Sequence, residues 1–269
     1  MPLPNNPWIV PHRQTTAARV RLVCFAHAGA GSQVYFGWPR RLPAEIDVWA
    51  ILPPGHERRL REPLPWQLDA LADGAADALR SRLDGPYALF GHSLGALVAF
   101  ETARRLRDDV GEPVRLFVSG RGGPRLPLSR PPMHRLPEAE FLQRLREFDG
   151  MPEAVLRTPE LLSLLMPILR ADMGAYETYQ YTAESPLDCP ISAYGGSDDP
   201  QVDRNQLEAW QAETTGPFEV RQFSGTHFYL HEQPQPLLRT LCEQLGVGAL
   251  RTVAERETAQ FERPGSLDV

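Results

Sequence analysis

Short apolar runs, each soon followed by glycine or proline, alternate along the chain with longer segments whose apolar residues recur at helical spacing. Six of the runs predict β-strands, at residues 19–26, 47–52, 87–90, 114–119, 191–194 and 218–223. Three of the longer segments predict helices between them, at residues 66–83, 94–107 and 203–213. Strands that are apolar throughout and alternate with helices indicate a mostly parallel sheet covered by helices on both faces. The predicted fold class is therefore α/β.

The regular alternation stops at residues 121–185, where two helical patterns follow each other without a strand. These patterns cover residues 137–148 and 159–179. An insertion of this kind predicts a helical lid over a site, because insertions at strand ends often carry function. Helices that simply pack against the sheet are the alternative interpretation.

The ends of the chain differ from its middle. Residues 1–19 are rich in proline and polar residues, lack the apolar core of a secretory signal, and are interpreted as an N-terminal extension. The main domain is predicted to cover residues 20–248, and the polar residues 249–269 are expected to form a flexible tail. No run approaches the roughly 20 apolar residues of a membrane span, so no membrane partner is expected.

The composition excludes several kinds of catalytic chemistry and of partner. All 28 basic residues are arginine, and without lysine neither Schiff-base chemistry nor a phosphate-loop motif is available. A net charge of −6 argues against nucleic-acid binding. Cys24, Cys189 and Cys242 lie in apolar settings without a close pair, which predicts buried, reduced thiols in a cytoplasmic protein.

A candidate nucleophile lies between a predicted strand and a predicted helix. Gly91-His92-Ser93-Leu94-Gly95 follows residues 87–90 and opens residues 94–107, the context that a G-x-S-x-G nucleophile elbow requires. The two glycines would remove side chains that clash in so tight a turn. Ser93 would stand at a helix N-terminus, where the Leu94 amide stabilises an oxyanion. A serine that only caps the helix is the alternative.

An acid and a base follow the serine in the order that this architecture uses. Asp198 and Asp199 come directly after residues 191–194, and His227 comes after residues 218–223. Each candidate lies at the C-terminal end of a predicted strand, where open parallel sheets place their sites. Asp199 is preferred because a residue before proline is held extended, although the sequence leaves Asp198 open. A purely structural role is the alternative for His227.

Five segments in this order resemble the type II thioesterases, the stand-alone α/β-hydrolases that accompany polyketide and non-ribosomal peptide synthases. The segments are Phe-Ala-His-Ala-Gly-Ala-Gly-Ser at residues 25–32, Pro-Pro-Gly-His-Glu-Arg at 53–58, the elbow with Phe-Glu at 100–101, Gly-Gly-Ser-Asp-Asp-Pro at 195–200 and Gly-Thr-His-Phe at 225–228. The resemblance runs from about residue 20 to 245. Two departures are Ala30, where the family usually has glycine, and His56, where it usually has arginine.

The resemblance implies an α/β-hydrolase fold with Ser93 as nucleophile, Asp199 as acid and His227 as base. It also places the oxyanion hole at the backbone N–H groups of Ala28 and Leu94. The implied reaction is hydrolysis of aberrant or stalled acyl groups from the phosphopantetheine arm of acyl or peptidyl carrier proteins, without a metal or redox cofactor. The protein is expected to act as a monomer.

The lid segment suggests two further hypotheses. Residues 121–137 contain four arginines and no acid, which favours steering of an acidic carrier protein, or simply a solvated basic loop. The apolar residues 161–169 and the tyrosines Tyr176, Tyr179 and Tyr181 would line an acyl channel or pack in the core.

Three competing functions remain open at this point. A small-molecule carboxylesterase or lactonase would use the same triad without a protein partner. A non-catalytic binding protein on a hydrolase scaffold, or an enzyme that transfers the acyl group to an acceptor other than water, would also fit.

Overall fold

Seven strands form one sheet in the computed structural model, which describes residues 6–128, 130–147 and 157–250. The strands are β1 (Ile9–Arg13), β2 (Val20–Phe25), β3 (Ile46–Ile51), β4 (Tyr87–His92), β5 (Arg115–Ser119), β6 (Ile191–Gly196) and β7 (Phe218–Phe223). Their order in the sheet is β1-β3-β2-β4-β5-β6-β7. Only β1 runs antiparallel to its neighbour, so the predicted mostly parallel sheet is confirmed. Part of the predicted tail, residues 251–269, lies outside the described residues.

Helices cover both faces of the sheet, as predicted. They are α1 (Leu68–Arg80), α2 (Leu94–Leu106), α3 (Glu138–Glu147), α4 (Pro159–Glu177), α5 (Arg204–Glu208), α6 (Tyr229–Glu232) and α7 (Pro234–Gln244). The helix predicted at residues 203–213 is only half α-helical. Asp203 and Gln206 form a reciprocal capping box at its start, and the chain tightens into a 3-10 turn at Ala209–Glu213.

Two apolar layers pack on the two faces because side chains alternate along each strand. In β2, Val23 and Phe25 join the layer under α1 and α2. Leu22 and Cys24 join the opposite layer, under α7. A third, smaller cluster lies within the insertion and holds α3 against α4 through Phe141 and other side chains. The insertion therefore has an apolar core of its own.

The N-terminal extension prediction is wrong for residues 9–13. These residues form the edge strand β1, which pairs with β3, and so the sheet begins before residue 20. The hydropathy pattern did not predict this strand because Pro11 and the polar residues that follow it interrupt the apolar run. An edge strand tolerates a proline because one side of its backbone needs no hydrogen-bond partner in the sheet. The Arg13 guanidinium fastens the strand by donating to the carbonyl groups of Leu42 and Ile46.

A buried carboxylate joins α2 to the segment after α4. Glu101 accepts hydrogen bonds from Arg104 at 2.8 Å, from Arg105 at 2.7 Å and from the Tyr179 hydroxyl at 2.8 Å. Removing one member of a buried ion pair leaves an uncompensated charge.

We expect Glu101→Ala to lower the free energy of unfolding by about 3 kcal/mol, the low end for breaking a buried ion pair. The loss stays at the low end because Arg104 keeps Glu184 as a partner. Urea unfolding of the variant measures this change, and a loss below about 1 kcal/mol would show that solvent replaces the carboxylate.

All three cysteines are buried and unpaired, as predicted. No helix among the described residues is long and apolar enough to cross a bilayer. The described residues also contain no cluster of three His, Cys, Asp or Glu side chains arranged to hold a metal ion.

Candidate active site

The turn between β4 and α2 places Ser93 in a strained backbone conformation. Its φ of 55° and ψ of −116° lie outside the regions that side-chain-bearing residues prefer. A Cβ on Gly91 would overlap the Gly95 backbone, and one on Gly95 would overlap the Phe25 carbonyl group. The glycines on either side therefore permit the turn. Ser93 makes no side-chain capping hydrogen bond, which removes the helix-cap interpretation.

Two backbone amides stand free beside this serine. In the described part of the chain, neither the Ala28 nor the Leu94 N–H donates a hydrogen bond to another protein group. Leu94 is the first residue of α2, where the helix dipole is positive. Ala28 follows β2 in a turn closed by a hydrogen bond from the Ala30 N–H to the His27 carbonyl oxygen at 3.1 Å. Free N–H groups of this kind suit a developing oxyanion.

His227 and Asp199 form a buried pair at the same edge of the sheet. His227 Nδ1 donates to Asp199 Oδ2 at 2.7 Å, and the two side chains are 5% and 0% exposed. The loops after β6 and β7 approach closely because Gly196 has no Cβ to meet the Thr226 carbonyl oxygen. That approach brings the acid and the imidazole together.

The structure places Asp199, and not Asp198, against His227. Asp198 is exposed and accepts a hydrogen bond from its neighbour Ser197 at 3.0 Å. Asp199 is fixed from the other side by the Gln201 N–H, which donates to Oδ1 at 2.8 Å. Among the described residues, no hydrogen bond joins Ser93 Oγ to His227. Catalytic hydrogen bonds are often long before substrate binds.

Three further histidines surround this pair, and burial keeps each of them uncharged near neutral pH. Burial lowers the pKa of His27 to about 4, and it also lowers the pKa of His92 and of His231. The His92 ring lies 4.9 Å from the His227 ring, centroid to centroid. Neutral neighbours do not oppose a positive charge that forms on His227 during the reaction.

A cavity of about 950 Å³, counting the part open to solvent, contains Ser93 and His227. Its wall is largely supplied by the predicted insertion, residues 121–185, including Met133, Leu145, Leu169, Met173 and Tyr176. The Glu177 carboxylate ties the insertion together by accepting the N–H groups of Met133 at 2.8 Å and His134 at 2.9 Å.

The three tyrosines singled out in the sequence have different surroundings. Tyr176 lines the cavity. All three tyrosines pack against the sheet core, and Tyr179 and Tyr181 donate to buried carboxylates, Glu101 at 2.8 Å and Glu213 at 3.0 Å. Core packing therefore accounts for Tyr179 and Tyr181, and Tyr176 is the member of the three placed where an acyl chain would lie, so its acyl-channel role stays a prediction.

The four arginines of residues 121–137 do not form one basic surface. Arg121 is buried in the cavity wall, with its guanidinium 5.3 Å from the centre of the Tyr176 ring. Arg125 donates to the buried Glu213 carboxylate at 2.7 Å. Arg135 is exposed. The charge available for steering a partner is smaller than the sequence indicates. The sequence analysis counted Arg121 only as part of a basic stretch and did not place it in the cavity, although its position soon after β5 at the C-terminal edge of the sheet is a usable signal.

Comparison with known proteins assigns the chain to a family. Residues 20–245 match the family model of the thioesterase domain. The chain belongs to the thioesterase family. The gramicidin S biosynthesis protein GrsT of Aneurinibacillus migulanus is 39% identical to this thioesterase over 241 residues, which cover 89% of this chain and 94% of GrsT.

Two solved structures share the α/β-hydrolase fold of this thioesterase. The type II thioesterase BorB from the borrelidin biosynthetic cluster superposes with a TM-score of 0.82 and 34% identity, covering 92% of this chain and 99% of BorB. The RedJ thioesterase from the prodiginine pathway of Streptomyces coelicolor gives a TM-score of 0.79 and 39% identity, covering 85% and 86%.

Proposed function

We propose that this thioesterase hydrolyses acyl thioesters held on the phosphopantetheine arm of acyl or peptidyl carrier proteins, and so removes aberrant or stalled acyl groups during polyketide or non-ribosomal peptide biosynthesis. The observation that carries the proposal is one cavity, under a largely apolar lid, that is lined by the strained Ser93 and by His227, with Asp199 buried behind His227 and hydrogen-bonded to it. The similarity to GrsT, BorB and RedJ, each named for a biosynthetic pathway, supports the substrate class.

The acylation step follows from the placement of these groups. His227 Nε2 accepts the Ser93 Oγ proton as Oγ attacks the thioester carbonyl carbon. The Ala28 and Leu94 N–H groups stabilise the negative charge that develops on the carbonyl oxygen. The carbon–sulfur bond then breaks, and the imidazolium returns its proton to the departing pantetheine sulfur.

The deacylation step repeats this chemistry with water as the nucleophile. His227 takes a proton from water, the resulting hydroxide attacks the acyl-serine ester, and the proton returns to Ser93 Oγ as the acid is released. Asp199 holds His227 with Nδ1 protonated, so that Nε2 faces the reacting atoms. In this scheme the chain's own groups and water supply every proton and electron pair, without a metal or redox cofactor.

The lid suits a tethered acyl chain. Apolar side chains from α3 and α4 face the cavity, and burial of an acyl chain against them contributes roughly 0.8 kcal/mol per methylene.

We propose that the mouth of this cavity receives the pantetheine arm, and that the enzyme acts as a monomer. We further propose a cytoplasmic setting, which the three unpaired buried thiols support.

The experiment that tests the substrate class compares one acyl group on a holo carrier protein and on free pantetheine. We expect kcat/KM to be at least about tenfold higher with the carrier protein, a difference of about 1.4 kcal/mol of transition-state binding. Ser93→Ala serves as the blank in both arms. Equal rates, both abolished in the blank, would instead identify a small-molecule carboxylesterase or lactonase. No turnover in either arm would favour a binding protein.

A further inference from the structure

A buried ion pair connects the lid helix α4 to the loop after β3. His56 Nε2 lies 3.0 Å from Asp172 Oδ2, and the two side chains are 4% and 3% exposed. The same Asp172 oxygen accepts a hydrogen bond from the Gly29 N–H at 2.7 Å. One carboxylate oxygen therefore joins α4, the His56 loop and the turn that follows β2.

Gly29 is directly next to the Ala28 amide assigned to the oxyanion hole. Its φ of 77° lies in the left-handed region, and a Cβ there would overlap the Leu169 side chain of α4. The turn is thus held between two side chains of α4, with Leu169 in contact and Asp172 as hydrogen-bond acceptor. Helix α4 therefore contacts the residue that shares a peptide bond with Ala28.

The hydrogen-bond geometry selects the protonation state of His56. Its Nδ1 lies 3.1 Å from the Pro54 carbonyl oxygen, and its Nε2 faces the Asp172 carboxylate. Both partners accept hydrogen bonds and neither donates. A neutral imidazole has one N–H, so only the imidazolium satisfies both partners.

The charged groups around His56 agree with this assignment. Burial acts to lower the pKa of His56, but the hydrogen bond and charge of Asp172, the Pro54 carbonyl and the Glu57 charge outweigh it, so the pKa is raised above 6.5. His27 lines the same small cavity and stays neutral, with a pKa lowered to about 4 by burial. The remaining elements at this cavity contribute apolar side chains, namely Trp8, Phe25, Ile51, Leu71, Leu94 and Val98.

We propose that His56 and Asp172 are positioning residues that hold the oxyanion turn against the lid helix, and that they do so fully only while His56 is an imidazolium. The proposal rests on the oxyanion role given to Ala28 under the proposed function. The raised pKa sets the sign: the arrangement is complete below pH 6.5 and weakens as the pH rises through the folded-state pKa. Acylation by the wild-type enzyme therefore has an alkaline limb.

The test measures pre-steady-state acylation of Ser93 by an aryl ester and by an acyl-pantetheine that carry the same acyl group, from pH 6 to pH 10. We expect Asp172→Asn to lower the acylation rate by about 10-fold to 100-fold with little change in substrate affinity, because it displaces one oxyanion donor. We expect His56→Gln, which keeps N–H donors without titrating, to abolish the alkaline limb. His56→Ala should cost more activity than His56→Gln.

A comparison pair involves the same helix. His134 Nδ1, from the segment before α3, lies 2.6 Å from Oε2 of Glu177 at the end of α4, beside Met133 and not beside the oxyanion turn. His134→Gln should keep the alkaline limb of the wild-type pH profile, because this pair does not contact the oxyanion turn. Circular dichroism of each variant verifies folding, and His56→Gln carries the test if Asp172→Asn does not fold.

The outcomes separate this proposal from the proposed function. Asp172→Asn and His56→Gln variants that lose thermal stability but keep the wild-type acylation rate and pH profile would show a merely structural pair. An alkaline limb that persists in His56→Gln would overturn the imidazolium assignment. Because the aryl ester needs no carrier protein, a failed carrier preference would leave this result standing.

Discussion

Replacing Ser93 by alanine is expected to lower turnover by about 10³-fold to 10⁶-fold while the fold persists. The serine Oγ makes no capping hydrogen bond, so its removal takes little from folding stability. The backbone strain at φ 55° remains in the variant, because alanine keeps the Cβ that causes it. Steady-state hydrolysis of an acyl-pantetheine, with thermal unfolding measured in parallel, checks both parts of the prediction.

A double variant tests whether the triad acts as a unit. Adding His227→Ala to Ser93→Ala should lower the residual rate by less than about tenfold, since the base has no nucleophile left to activate. Losses that multiply in the double variant would mean that His227 serves a reaction that does not pass through Ser93.

Asp199→Asn is expected to lower kcat by about 10⁴-fold, as loss of the orienting carboxylate does in other serine triads. An amide can donate to His227 Nδ1, which favours the tautomer with its N–H turned away from the acid and leaves Nε2 protonated in place of Nδ1. The carboxylate also stabilises the imidazolium through a 2.7 Å hydrogen bond in a fully buried site. Stopped-flow acylation kinetics at pH 8 measure the loss.

The neighbouring aspartate supplies the control. Asp198 is exposed and contacts Ser197, so Asp198→Asn should keep kcat within about twofold of the wild type. The opposite ranking of the two variants would mean that the loop after β6 rearranges in the working enzyme and exchanges one carboxylate for the other.

The five central strands, β2 to β6, were predictable because most of their side chains are apolar on both faces and each run ends at a turn residue. Edge strand β7 was predictable from its alternation of apolar and polar residues. The elbow was predictable because its tight turn admits no Cβ at Gly91 or Gly95, so the sequence must have glycine at both positions. Edge strand β1 was not, because Pro11 and the polar residues around it carry no burial signal.

The remaining features depend on contacts between distant parts of the chain. The sequence does not distinguish Asp198 from Asp199, because they are adjacent residues of the same type. Only the close approach of the loops after β6 and β7 buries one of the two carboxylates. The Asp172 partner of His56 is 116 residues away, and the Glu213 partner of Arg125 is 88 residues away. No local sequence pattern encodes pairs so far apart along the chain. The sequence therefore predicted neither the His56–Asp172 pair nor the pairing of Arg125, which reduces the free positive charge of residues 121–137.

Because all three cysteines are buried, the thiol that the reaction releases can be measured with little background from the enzyme itself. Burial raises the pKa of Cys242 to about 11 and that of Cys189 to about 12, and burial also raises the pKa of Cys24 well above its usual value. A thiol exchanges with an aromatic disulfide dye only as the thiolate, so the native enzyme contributes almost no colour. Each thioester turnover releases one exposed pantetheine thiol. A continuous chromogenic titration of that thiol therefore counts turnovers directly, without mutating the enzyme's own cysteines.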